Sequence, residues 1–317
     1  MKLYPKSRLN SFVLLFFYLG LGMASTMIWT RVAALWDLGA WHADMISSTA
    51  PAPNQYRPLV PWLAEIIRVV LPGHNIFAAY TVLRSLVTGS TLYFFDRYLR
   101  TWFPPAAATG GALMLAVVLP FTYLTVIQES DPINLLVFTL AFWAMVKGCD
   151  YLLIPIMLFG TLNRETTAML PAVYLLGNLG VKPIREVALK TAILVFCWCI
   201  VHGGLRLFYG DRSYYCDIIM WKNNIKGWGP SINVFLLFGM VWVLSLVGAK
   251  GGPLLLRRAL LLLPFYLALH YVIALVEETR IFLPWAPVVI PLAWLTLFPS
   301  DFTGSDNSIS EIKSGGP

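Results

Sequence analysis

Long apolar runs alternate with short polar breaks along most of the chain. A bilayer-spanning helix needs about 20 apolar residues. Runs near 11–30, 76–95, 105–126, 133–147, 188–208, 231–248, 254–276 and 281–298 therefore predict spans. Two shorter runs, 151–162 and 167–179, meet at Asn163-Arg164-Glu165-Thr166, and they predict a pair of half-length crossings that turn back at that break. The expected fold is all-α: a polytopic membrane bundle of about ten spans over residues 1–299, with a disordered cytoplasmic tail at 300–317.

Charge gives this pattern a direction. Lys2, Lys6 and Arg8 precede the first span, so the positive-inside rule puts the N-terminus in the cytoplasm. Each later inner turn carries Lys or Arg: Arg97 and Arg100, Lys147, Lys182 and Arg185, then Lys250 with Arg257 and Arg258. The C-terminus is then also cytoplasmic. A single crossing over 151–179 would place Arg257 and Arg258 outside, against the rule. Residues 31–72 become the first outer loop. Within it, 59–72 is too short to cross. Glu65 and Arg68 beside Leu63, Ile66, Ile67 and Val70 predict a helix lying along the interface.

Composition agrees with a bilayer environment. Of 317 residues 58% are hydrophobic and 12% charged, against roughly 25% charged in soluble domains. The net charge of +7 does not imply nucleic acid, because the basic residues are spread over the inner turns. The N-terminal apolar run reads as an uncleaved signal-anchor, since no clean small-residue cleavage site precedes a soluble domain. Cys149, Cys197, Cys199 and Cys216 form no metal-ligand array, and no structural disulfide is expected.

Candidate chemistry gathers on the expected outer side. Asp37, Trp41 and Asp44 share one face if their segment is helical. Either carboxylate is a candidate general base, and the two together are a candidate site for a divalent cation such as Mg2+ or Mn2+. His42 lies between them and Tyr56 follows. Arg57, ahead of the Pro58 and Pro61 that start the interfacial helix, sits where a guanidinium fork meets phosphate. Glu129 and Asp131 lie together at the start of a span, where helix capping accounts for one acid and not both. Arg164 and Glu165 point apart on a helix, so their partners are expected on other segments. Glu277 and Arg280 are spaced to pair, which leaves Glu278 over. Arg84 lies mid-span and needs a partner. His202 and His270 read as satisfied core residues. The aromatics of loop 209–230, Tyr214, Tyr215, Trp221 and Trp228, suit either sugar stacking or interfacial anchoring. No phosphate-binding P-loop, GxSxG, HExxH or dinucleotide fingerprint is present.

In layout the chain resembles the polytopic glycosyltransferases of the GT-C class. One span leads to a large first outer loop, here Trp36-Asp37 to Tyr56-Arg57-Pro58, and a bundle follows to about residue 298. The resemblance implies transfer of a sugar from a polyprenyl-phosphate carrier to a hydroxyl on a glycan, lipid or protein acceptor at the outer face. It implies Asp37, or else Asp44, as catalytic base. It implies Arg57, Arg164 and Arg280 as the donor-phosphate contacts, and an outer cavity lined by His42, Tyr56, Glu129, Asp131, Glu165 and Glu278. Membrane lipids are the expected surroundings, and no nucleic-acid partner is expected. The chain is shorter than the larger members, so acceptor recognition by a soluble outer domain is not expected. A transporter or flippase, or a glycan polymerase acting on a lipid-linked saccharide, are the alternative readings. A transporter is expected to show mid-membrane polar groups and paired repeats, whereas these ionisable groups share one level.

Overall fold

A computed structural model describes residues 8–32, 37–123, 128–214, 217 and 219–299. Lys2, Lys6, Trp36, Tyr215, Cys216 and the 300–317 tail lie outside the described residues. The fold is all-helical, with no strand among the described residues. The helices are α1 (Arg8–Val32), α2 (Leu38–Ile46), α3 (Leu59–Val70), α4 (Ile76–Leu99) and α5 (Pro105–Val118). There follow α6 (Ser130–Val146), α7 (Leu153–Asn163), α8 (Met169–Asn178), α9 (Ile184–Tyr209) and α10 (Trp221–Asn224). The chain closes with α11 (Gly229–Phe238), α12 (Met240–Gly248), α13 (Leu254–Leu260), α14 (Leu263–Ile273) and α15 (Ala286–Leu297).

Four stretches are long and apolar enough to cross a membrane: Ser11–Arg31, Pro105–Thr122, Leu254–Ile273 and Thr279–Leu297. The pair α11–α12, bent by 60°, makes a fifth if counted as one span. This is fewer than the ten expected. Helices α4 and α9 have the length, at 24 and 26 residues, but both carry charges along their course. Helices α6, α7 and α8 are shorter than a crossing. The outer surface nevertheless reads as lipid-facing. Phe16 is 68% exposed, Phe265 74% and Leu207 88%, and apolar patches of that extent are costly in water.

Helices α1 and α4 run antiparallel. Tyr18 donates to Asp96 at 3.1 Å near one end, and Arg84 lies over the Trp29 ring near the other. Small residues set this crossing. A Cβ at Gly22 would come within 2.5 Å of the Gly89 backbone nitrogen, so only glycine permits the approach. Around this pair stand α5 and α6. The last apolar stretch is not at the lipid surface: every residue from Thr279 to Leu295 is buried, which makes this segment the axis of the bundle. Tyr98 donates to the Pro287 carbonyl at 2.6 Å, and the Trp294 indole donates to the Ala107 carbonyl at 2.8 Å, tying the axis to α4 and α5.

The 151–179 stretch forms a helical hairpin. At its base, Asp150 accepts from Lys182 and Lys190, each at 2.7 Å, and from Tyr174 at 2.8 Å. The start of α7 and the end of α8 therefore share one end of the bundle. At the tip, Asn163 donates to the Ser130 carbonyl at 2.9 Å, and the next residues turn through a 3-10 segment, Glu165–Ala168. Each arm of 11 and 10 residues rises only about 15 Å at 1.5 Å per residue. Such an arm reaches part-way through a bilayer. Arg258 closes the hairpin's base by donating to the Leu176, Gly177 and Leu179 carbonyls at the end of α8, where last-turn carbonyls lack helical partners.

Candidate functional site

The hairpin tip carries the charges of the site. At its cap position Arg164 is extended (φ −162°, ψ 138°), which ends α7 and turns its side chain away from that of Glu165. Arg164 donates to Asp131 at the start of α6. Arg280, from the buried axis, donates to the other Asp131 oxygen at 3.1 Å and to Glu278. Asp131 is thus shared by two guanidiniums. On the other side of the tip, Glu165 accepts from Arg57 through Nε at 3.0 Å and through Nη2. Arg57 also donates to Gln128 at 2.9 Å. The Glu165 carbonyl accepts from the Trp198 indole at 3.1 Å. Beside this group, Arg84 grips Glu129 in a two-point pair at 3.2 and 2.7 Å, its guanidinium 3.1 Å from the centre of the Trp29 ring.

Arg57, Arg84, Glu129, Asp131, Arg164 and Arg280 are all buried, and Glu165 and Glu278 are half-buried. Four cations thus stand against four carboxylates. Charges taken out of water need this pairing, since an isolated buried ion is prohibitively costly. The pairing leaves some donors over. Arg84 Nη1, Arg164 Nε and Arg280 Nε are buried with no hydrogen-bond partner among the described residues. A small, mostly apolar cavity borders Asp131, lined by Thr88, Thr91, Leu119, Pro132, Leu135 and Leu283.

Several expectations meet their partners here. Arg164 and Glu165 do find partners on other segments, and Arg84 finds Glu129. Others are corrected. Arg280 pairs with Glu278, not with Glu277, because the chain is not helical before Thr279 (Glu278 φ −75°, ψ 73°), so the helical i, i+3 spacing of Glu277 and Arg280 does not apply. Neither Glu129 nor Asp131 caps α6 through its side chain, since both are drawn into ion pairs.

Asp37 and Asp44 are not in this cluster. Asp37 is exposed and caps α2, accepting from the Ala40 amide at 2.9 Å. Asp44 is exposed and accepts from Thr49 at 3.2 Å. They stand seven residues apart, and the rise of a helix separates them by about 10 Å. Among the described residues no group of three or more His, Cys, Asp or Glu is placed to hold a metal ion.

His42 turns away from both acids into the bundle. One ring nitrogen meets Tyr80 at 3.0 Å and the other meets Glu65 at 3.1 Å. Glu65 also accepts from Arg68 at 2.8 Å, and this hydrogen bond chiefly pulls its carboxyl down to about 2, with His42 assisting against partial burial. The chain Tyr80–His42–Glu65–Arg68 thereby ties α2 to α3 and α4. It was hidden in the sequence because its members lie on three elements. Tyr56 is buried, and its hydroxyl donates to the Gly210 carbonyl at 2.9 Å. His270 is buried against the Tyr266 ring at a tilt of 33°, whereas His202, expected in the core, is only half-buried and stacks on Trp198. Comparison with known proteins finds no matching family, no matching curated protein and no matching solved structure.

Proposed function

We propose that the chain is a membrane glycosyltransferase that moves a sugar from a polyprenyl-phosphate carrier to an acceptor hydroxyl on the non-cytoplasmic face. The observation that carries this reading is the set of buried guanidiniums at one end of an apolar-surfaced bundle, with Arg164 and Arg280 each keeping a buried, unpartnered Nε. Fixed donors of this kind stabilise charge that develops on a phosphate oxygen. In this reading the bundle crosses the membrane about ten times, counting the two arms of the hairpin, and both termini are cytoplasmic.

Asp37, or else Asp44, takes the proton of the acceptor hydroxyl while that oxygen bonds to the anomeric carbon. The bond from the anomeric carbon to the phosphate oxygen breaks, and its electron pair leaves with the polyprenyl phosphate. Arg57, Arg164 and Arg280 hold that phosphate. Exposure of Asp37 and Asp44 supports a base role, because an exposed carboxylate meets an acceptor arriving from the aqueous side.

The test is transfer from labelled polyprenyl-phosphate sugars by the purified protein, compared with Asp37→Asn and Asp44→Asn. Transfer by the wild type and its loss in one variant support the reading. Full transfer in both variants removes the base assignment, and no transfer by the wild type from any such donor removes the function.

A further inference from the structure

The four guanidiniums of the buried cluster are each matched by a carboxylate. Arg206, near the end of α9, is not. Among the described residues it makes no ion pair, yet it is held from three directions. Its guanidinium lies over the Tyr56 ring, 4.6 Å from the centre. Its Nη2 donates to the Tyr214 hydroxyl at 3.2 Å, and its Nε donates to His202 Nε2 at 3.1 Å. That last bond needs an unprotonated Nε2, so His202 is neutral here and adds no second charge.

The frame around Arg206 is built from two loops. The Ala52 amide donates to the Ser213 carbonyl at 3.0 Å, and the Tyr56 hydroxyl donates to Gly210. The first loop and the loop after α9 are thus joined directly beneath this side chain. A ladder along α9 connects it to the buried cluster: Arg206 bonds His202, His202 stacks on Trp198 at 4.4 Å, and Trp198 donates to the Glu165 carbonyl. Asp211 and Arg212 on the same loop offset each other in charge.

We infer that Arg206 is a phosphate-gripping residue, a site for a phosphomonoester or phosphodiester anion at the mouth of the cluster. Its Nη1 has no partner among the described residues, so the Nη1–Nη2 edge presents a donor pair in the geometry that takes two phosphate oxygens. The Tyr56 ring and Tyr214 hydroxyl fix that edge in advance, which lowers the ordering cost of binding. The paired guanidiniums, by contrast, each commit part of their fork to a carboxylate. This assignment rests on the proposed use of a lipid-phosphate donor, and it adds the first contact that such a donor makes.

The test is ligand binding to the full-length protein in detergent, using a short-chain prenyl phosphate, the matching prenyl alcohol and inorganic phosphate. Arg206→Gln is expected to weaken prenyl phosphate at least tenfold while leaving the alcohol and the melting temperature unchanged. Arg206→Lys is expected to recover part of the loss. Binding of inorganic phosphate that is also lost in Arg206→Gln identifies a phosphate site independent of the lipid chain. Wild-type affinity for prenyl phosphate in Arg206→Gln overturns the inference and leaves the proposed transfer standing. Arg206-dependent phosphate binding without any sugar transfer does the reverse.

Discussion

Arg57 grips Glu165 by two nitrogens across 108 residues of chain, and this contact joins the first loop to the tip of the α7–α8 hairpin. Each partner sits on an element that a bilayer or a loop alone would not hold in place. The 3-10 turn at Glu165–Ala168 and the short 3-10 segment Asn54–Tyr56 that leads into Arg57 are both anchored by it. The polar end of the bundle is therefore assembled by ion pairs between segments, with apolar packing beneath.

The Arg84–Glu129 pair is the most deeply buried of these, and its loss is expected to be costly. Glu129→Gln strands the Arg84 charge and is expected to destabilise the protein by about 3–5 kcal/mol. Replacing both, with Arg84→Met and Glu129→Leu, is expected to cost much less, because no unpaired ion remains. Denaturant unfolding in detergent measures both variants; equal losses would show that the pair is not what stabilises this region.

Asp37 offers a way to separate catalysis from folding. Its side chain caps α2, and asparagine caps a helix as well as aspartate does. Asp37→Asn is expected to keep the melting temperature and to lower transfer by about 10²- to 10⁴-fold, the usual contribution of a general base. Asp37→Ala is expected to lose about 1 kcal/mol of stability as well. A variant Asp37→Asn that melts early would assign this residue to structure alone.

The Glu65 carboxyl lies outside the spanning segments and titrates at about 2 in the folded chain, below its ordinary 4.5. A depressed carboxyl stabilises the folded state above its unfolded value and loses that contribution as pH falls through the folded value. The α2–α3 contact through His42 is thus expected to loosen between pH 4.5 and about 2. Amide exchange of α2 should speed up over that window in the wild type. In Glu65→Gln it should already be fast above the window and show no step within it; an identical step in both proteins would discount Glu65.

The hairpin makes a topological prediction. In a cysteine-free background, Val181→Cys between α8 and α9 is expected to react from the same side as Lys147→Cys and Lys250→Cys. All three positions are exposed. Ser47→Cys and Lys226→Cys, also exposed, are expected to react from the opposite side. Labelling of Val181→Cys and Lys250→Cys together with Ser47→Cys, with Lys226→Cys on the Lys147→Cys side, would mean that 151–179 crosses once.

Apolar periodicity carried the helices. The runs around 11–30 and 76–95 became α1 and α4 with ends shifted by a few residues, and the run from 105 became α5 with a 3-10 extension over Leu119–Tyr123, because about 20 apolar residues have one common solution in lipid. The break at Arg164-Glu165 was legible for the same reason: two charges among apolar residues require partners, and α-helical geometry denies them each other. The identity of those partners was not legible. Asp131 for Arg164 and Arg57 for Glu165 lie 33 and 108 residues away, and no local pattern encodes which of several acids or bases a folded bundle brings near. The burial of Thr279–Leu295 was equally hidden, since an apolar helix reads alike whether lipid or other helices surround it. Local sequence determined which segments are helical and which charges must be paired; only packing between segments decided the pairs, because hydrophobicity has no direction and ion pairs do.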